Sequence, residues 1–259
     1  MSMKAPVDVS ELDIKVKEMY RAVAENPAGS YHFEMGRELA ERLGYPPLAL
    51  DQVPAGAVES FAGVGHFFDL AGLGTGETVV DLGSGSGMDA FVAARLVGPS
   101  GRVLGVDFTV EQLAKARRLA AQAGVDHVEF REGRIENLPV DDASADCVIS
   151  NGVINLSSDK KRVFLEAARV LRPGGRLAIA DIITEMPLSE QIVCNTDLWA
   201  SCIGGAAHRE VHLSDMVAAG FTVESMKRNP YEFISARARN AGARYGVISV
   251  SLRARLSRD

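Results

Sequence analysis

The sequence predicts an α/β protein: a doubly wound parallel sheet with a helical cap at its N-terminal end. Three observations predict it. From Glu77 onward, short β-branched apolar runs alternate with helical patterns, as in a sheet whose right-handed crossovers place helices on both faces. The first run, Thr78–Leu82, passes directly into a glycine-rich turn and then a helix, so backbone can approach a ligand at the carboxyl edge of the sheet. Residues 1–70 carry helical rather than strand patterns.

In order along the chain, Leu12, Ile14, Val16, Met19, Tyr20 and Val23 recur at mostly helical spacing after Ser10, predicting an amphipathic helix over Ser10–Ala24 that Asn26-Pro27 ends. A second helix is expected over Met35–Leu43, broken by Tyr45-Pro46-Pro47, and a loop followed by helix over Val53–Leu70. Strands are expected at Thr78–Leu82, Val103–Asp107, Val128–Phe130, Cys147–Ser150 and Arg176–Ile182, because such runs suit parallel strands buried on both faces. Helices over Asp89–Val97, Val110–Ala123 and Asp159–Leu171 separate them. A helical pattern then runs from Ile183 through Cys202, another covers Val211–Ala219, and Phe221–Ser225 and Val247–Leu252 close the chain as strands, the last with the alternation of an edge or antiparallel strand. Two regions are expected: a helical cap over residues 1–70, and a sheet domain over 71–259 with a substrate-side insertion at about 183–210.

The 259 residues are 47% hydrophobic and 24% charged, a composition that buries a core. A net charge of −6 argues against nucleic acid as a partner, which demands clustered cations. Three cysteines make no disulfide framework and fit a reducing compartment. The charged N-terminus lacks the apolar stretch of a secretory signal, and no apolar run approaches the roughly 18 residues of a membrane span. A cytoplasmic protein with no membrane partner is expected, and no metal site is predicted.

The chemistry centres on Asp81-Leu82-Gly83-Ser84-Gly85-Ser86-Gly87 and on Asp107 at the end of the second strand, the position from which a carboxylate reaches a ribose hydroxyl. A dinucleotide fingerprint requires a third small residue where this chain has Met88, which disfavours NAD. The loop and acid instead resemble those of class I S-adenosylmethionine-dependent methyltransferases, and Leu171-Arg172-Pro173-Gly174-Gly175 resembles their turn before the fifth strand. The resemblance implies a Rossmann-like, seven-stranded methyltransferase sheet and S-adenosylmethionine as cofactor. It places Gly83, Ser84, Gly85 and Gly87 beside the methionine portion with Asp81 near the ammonium. Asp107 would hold the ribose, flanked by Phe108 and Thr109, and Ile135 and Glu136 would border the adenine, Arg134 being a departure. Asn151 would lie near the sulfonium and the acceptor.

Within that class, Val148-Ile149-Ser150-Asn151-Gly152-Val153-Ile154-Asn155-Leu156-Ser157 and Leu198–Ala206, with Gly105–Thr109, resemble the arsenite methyltransferase group. Arsenic is thiophilic and needs converging thiolates. The group's cysteines fall at positions held here by Gly152 and Val64, leaving Cys202 as the one match. Cys194 on the same helix would stand about 12 Å from Cys202 if that helix were continuous, and Cys147 reads as a small buried hydrophobe. Glycine at 152 is expected to open space beside the methyl group for an organic acceptor.

The expected function is therefore methylation of a small organic molecule, with arsenite as the alternative acceptor and a non-catalytic cofactor-binding protein as the second alternative. For an oxygen or nitrogen acceptor a base is required. His66 and His208 are the candidates, with Asn151 as a third catalytic residue; His32 and His212 are weaker, and each histidine is equally open to a surface or core role. Trp199 and Tyr231 are packing residues or walls of an aromatic pocket. The alternating C-terminal strand and the N-terminal helix leave a homodimer open.

Overall fold

The computed structural model describes residues 7–200 and 203–257. The cap consists of α1 (Val9–Glu25), α2 (Gly36–Leu43), α3 (Pro47–Leu50), α4 (Ala55–Glu59) and α5 (Phe68–Ala71). Asp8, not Ser10, caps α1: its side chain accepts from the Ser10 and Glu11 N–H groups, two of the amides a helix start leaves orphaned. Instead of one helix after a loop, two short helices, α4 and α5, flank the loop at 60–67.

The sheet holds β1 (Thr78–Leu82), β2 (Arg102–Asp107), β3 (Val128–Glu132), β4 (Ala145–Asn151), β5 (Leu171–Thr184), β6 (Ala207–His208), β7 (Phe221–Arg228) and β8 (Val247–Leu256). Their order is β3-β2-β1-β4-β5-β8-β7, with β6 beside β5. This is the expected seven-stranded sheet plus a two-residue eighth strand, formed where Ile183 and Thr184 run past the end of β4. Strands β1 to β5 are parallel, and β8 is antiparallel to both β5 and β7. The alternating β8 is thus an inner strand, not an edge. Its alternation has another cause: Ser249 and Ser251 turn toward the 64–66 loop, as described below, while Val250 and Leu252 are buried.

The crossovers are α6 (Met88–Val97), α7 (Val110–Ala123) and α8 (Lys160–Val170). Beyond β5 the expected helical run is broken into α9 (Glu190–Val193) and α10 (Thr196–Ala200), and α11 (Arg209–Ala218) and α12 (Ala236–Tyr245) complete the chain. Among the described residues no helix is long and apolar enough to cross a membrane.

Successive strand residues face opposite sides, and the two faces build two cores. Val79, Ile149 and Ile182 pack with Phe91 and with Leu39, Leu43, Tyr45, Phe61 and Phe67 of the N-terminal region. Val80, Val148 and Ile179 pack with Phe164 of α8 and Leu252. Residues 39–71 therefore share a core with the sheet. Only α1 stands apart, where Leu12 and Val16 meet Leu156 and Trp199 and roof the carboxyl edge at the β1/β4 reversal of strand order, the place where open sheets of this kind bind ligands.

Candidate functional site

Directly beyond β1 the chain turns through Gly83, Gly85 and Gly87 with φ of +68°, +52° and +92°, the left-handed region that glycine alone enters freely. The Gly83 and Ser84 N–H groups both donate to Val106 O, at 2.7 and 3.1 Å, tying the turn to β2. The glycines serve different ends. A Cβ on Gly83 would lie 2.5 Å from both methyl carbons of Val153, and one on Gly87 2.7 Å from the Phe130 ring. A Cβ on Gly85 would meet nothing nearer than Gln112 Oε1 at 3.8 Å, so Gly85 leaves its space to a ligand.

Asp107 braces this turn. Its Oδ2 accepts from the Gly85 N–H at 2.9 Å and its Oδ1 from the Thr109 N–H at 2.8 Å, which leaves each carboxylate oxygen a further lone pair for a ligand hydroxyl. Asp81 is 2% exposed and its Oδ2 has no partner, and the Ser84 and Thr109 hydroxyls are likewise buried and unpartnered. Asp89, the second residue of α6, adds a third buried carboxylate to the same cleft. Burial raises all three: Asp89 is pushed up to about 6, Asp107 is raised, and Asp81 goes well above its usual range because the Asp89 and Asp107 charges add to burial. Among the described residues no ion pair engages any of the three. A cleft in which three buried carboxylates have no ion-pair partner, its one lining arginine, Arg134, being taken up by Asp13 and Glu136, fits a ligand that brings positive charge and hydroxyls, as the sulfonium, ammonium and ribose of S-adenosylmethionine do.

A pH dependence follows. Carboxyls raised on folding make the ligand-free protein lose stability as pH climbs from 3.8 through about 6, because the unfolded chain releases its protons first. A bound cation favours the ionised form and offsets that loss. Differential scanning fluorimetry is expected to show a larger rise in Tm on adding S-adenosylmethionine at pH 7.5 than at pH 5; equal rises would mean that these charges do not meet the ligand.

Asp81, Gly83, Ser84, Gly85, Asp107, Phe108, Thr109, Ile135, Glu136 and Asn151 all line this one cleft, while Gly87 sits just behind it at the start of α6. Glu136 is engaged by Ser157 Oγ at 2.5 Å and Arg134 Nε at 3.4 Å. Arg134 turns away to α1, donating to both Asp13 oxygens at 2.7 and 3.1 Å and lying over the Phe108 ring. The sequence reading did not anticipate Leu12, Asp13, Val16 and Tyr20 of α1, nor Ser60–Gly63, Asp89 and Gln112, which complete the walls. The helical stripe of α1 was visible; what it packs on was not.

Asn151 is fully engaged by the protein. Its Oδ1 accepts from the Val64 and Gly65 N–H groups at 2.7 and 3.2 Å, and its Nδ2 lies within hydrogen-bonding distance of Gly65 O at 2.9 Å, Asp89 Oδ2 at 3.0 Å and Tyr45 Oη at 3.1 Å. Tyr45 Oη donates to Asp89 Oδ1 at 2.6 Å. From behind, Ser249 Oγ donates to Val64 O at 2.6 Å and Ser251 Oγ to His66 O at 2.9 Å. The 64–66 loop is held on both sides, and Asn151 acts as its anchor.

Neither candidate base lines the cleft. His66 lies behind Tyr45, its ring edge-on at 4.7 Å and its Nδ1 3.4 Å from Asp69 Oδ1, with burial lowering its pKa first of all. His208 precedes α11, with Nε2 3.2 Å from Glu185 O. His212 is buried against Phe164 and pushed down to about 4 by burial, and His32 packs on Phe33. Trp199 is a packing residue whose Nε1 donates to Val193 O at 2.6 Å; Tyr231 packs on Phe233. The proton-accepting side chains that do line the cleft are carboxylates: Asp13, Asp81, Asp89, Asp107 and Glu136.

The thiol positions yield two corrections. Gly152, at φ +72°, has no open space above it: an added Cβ would lie 3.0 Å from Val64 Cγ1. The premise of one helix running on from Cys194 fails, because α9 ends at Val193 and Cys194 lies in the break before α10. Cys202 lies outside the described residues. Cys147 is buried in β4, its thiol pushed up to about 12 by that burial.

Comparison with known proteins agrees with this geometry. Residues 73–236 match a family described as "Methyltransferase domain". The arsenite methyltransferase of Halobacterium salinarum is 43% identical over 198 residues, 76% of this chain and 50% of that protein. The arsenite methyltransferase of Homo sapiens is 41% identical over 141 residues, 50% of this chain and 37% of that one. The chain thus spans about half, or less, of the length of these curated relatives. A crystal structure of an arsenic(III) S-adenosylmethionine methyltransferase from Chlamydomonas reinhardtii superposes with TM-score 0.65 and 32% identity over 86% of this chain and 74% of that one. A geranyl diphosphate methyltransferase, 19% identical with TM-score 0.68 over 96% of this chain and 100% of that one, shares the fold. With the glycine turn, the acid at the end of β2 and the strand order all in place, the chain belongs to the methyltransferase-domain family, among the class I enzymes that depend on S-adenosylmethionine.

Proposed function

We propose that the chain transfers a methyl group from S-adenosylmethionine to a small organic acceptor. The names of the relatives favour arsenite over such an acceptor. The observation that reverses the order is the contact between Val64 and Gly152. By resemblance these positions carry two of the thiols that grip arsenic, and here they carry a valine packed onto a glycine. Cys202 alone does not supply converging thiolates.

When bound, the cofactor supplies an electrophilic methyl on a cationic sulfur. The protein's part is approach and exclusion of water. Asp107 and Gly85 would hold the ribose side, Asp81 would take the ammonium, and Ile135 would pack on the base. Leu12, Val16 and Tyr20 of α1 wall the cleft and would shield a bound cofactor, and Phe61, Ala62 and Met88 add apolar lining that would face an acceptor. With no histidine lining the cleft, an acceptor that must lose a proton gives it to a cleft carboxylate or to water.

Isothermal titration of the reduced protein with S-adenosylhomocysteine, alone and with arsenite or with phenolic, amine and prenyl compounds, tests this, together with methyl transfer to each. Product binding unaffected by arsenite, with transfer to an organic compound, is the expected result. Arsenite-coupled binding that is lost in Cys202→Ser would restore the metalloid reading. Binding with no transfer to any acceptor would favour a non-catalytic role, and no nucleoside binding would overturn the assignment of the cleft.

A further inference from the structure

Asp89 is the one buried carboxylate of the cleft that no motif predicts. It is 6% exposed, and its two oxygens accept from Tyr45 Oη at 2.6 Å and Asn151 Nδ2 at 3.0 Å. Both donors are neutral. Facing the same cleft from β1, Asp81 Oδ2 is buried without a partner. Two like charges in one closed site oppose each other's ionisation, and a single ammonium from a ligand balances only one of them. The methyl donor carries two cationic centres, and the second exists only before transfer: the product's sulfur is neutral.

We propose that Asp89 is the counter-charge of the sulfonium, a binding residue that separates the charged methyl donor from its neutral product. The inference rests on the cofactor reading of the cleft. Asp81 stands at the ammonium end by resemblance, Asn151 stands at the sulfonium end, and Asp89 is bonded to Asn151. The two neutral hydrogen bonds spread the carboxylate charge, which limits how far it stabilises the ground state of a reaction that consumes the positive charge. Once the methyl has left, the attraction is gone and the product exchanges for fresh donor.

The test is the ratio of affinities for S-adenosylmethionine and S-adenosylhomocysteine, measured by isothermal titration on the full chain. Asp89→Asn is expected to weaken the donor about tenfold while the product changes by no more than about twofold. A purely structural role would weaken both alike, and that result would overturn the assignment.

A second measurement needs no variant. In the wild type the donor-to-product affinity ratio is expected to rise as pH goes from 5 to 7.5, as Asp89 ionises. The groups facing it are Tyr45, Asn151 from β4 and Asp81 from β1, with Asp107 of β2 beyond Asp81, and His66, Asp69 and Lys227 behind Tyr45. Asp81 and Asp107 meet parts common to both nucleosides, so their titration cancels in the ratio. A ratio constant across this range would overturn the proposal while leaving the cofactor reading intact. A wild type that binds neither nucleoside would overturn both.

Discussion

Asp107→Ala is expected to weaken S-adenosylhomocysteine binding by two orders of magnitude or more. The side chain does two jobs at once. Its carboxylate lines the cleft with lone pairs left for a ligand hydroxyl, and it accepts the Gly85 and Thr109 N–H groups at 2.9 and 2.8 Å. Truncation leaves two donors without acceptors, each worth about 1–3 kcal/mol, and leaves the Val106 carbonyl as the turn's remaining tie to β2. A hundredfold loss corresponds to about 2.7 kcal/mol, which either effect approaches alone. Titration calorimetry, on a variant whose circular dichroism shows the native fold, measures it. Asp107→Asn keeps one acceptor oxygen and is expected to fall between the two. A change of less than about threefold in the alanine variant would remove Asp107 from the ligand's contacts.

The second large effect is on stability. Gly83→Ala adds a Cβ 2.5 Å from both Val153 methyl carbons and forces alanine to φ +68°. The left-handed backbone costs roughly 1–2 kcal/mol and the overpacking a further 1–3. For a domain of this size the expected fall in Tm is on the order of 10 °C. Gly85→Ala is the informative partner, because it carries the backbone strain alone, with nothing nearer than 3.8 Å. Its Tm is expected to drop by only a few degrees while nucleoside binding is lost, since the added methyl occupies the ligand's space. Similar Tm losses in the two variants would contradict the division of labour between these glycines.

Strands β1, β2 and β4 were legible because each is a short, largely apolar run buried on both faces, so composition and length alone mark it. The antiparallel strand β8 was legible as a strand but not as an inner one, since its alternating serines answer to the 64–66 loop, some 185 residues away in sequence. Helix α12 (Ala236–Tyr245) escaped notice because its buried stripe, Ala238, Ala241 and Tyr245, is mostly alanine set among three arginines; the Ser235 cap was the available signal. That the glycine turn and Asp107 meet in one cleft was readable because they are local features of consecutive elements. Tyr45, Asp89 and Asn151 make one network from three distant segments, and no spacing rule connects them. His66 and His208 stand out by side-chain type, and type does not fix which way a side chain points, whether from a loop as at His66 or from the short strand β6 as at His208.

The packing of Val64 onto Gly152 couples the two positions, so the order in which substitutions occur matters. Installing cysteine at 152 first places its Cβ 3.0 Å from Val64 Cγ1 on a left-handed backbone, and the valine must shift before the sulfur finds room. Exchanging Val64 for cysteine first removes one of the two crowding methyl groups, and the second change then meets less resistance. Effects at touching residues are not additive. A chain with valine and glycine here is therefore separated from thiols at both positions by an ordered pair of steps, the first of which brings no second sulfur at 152.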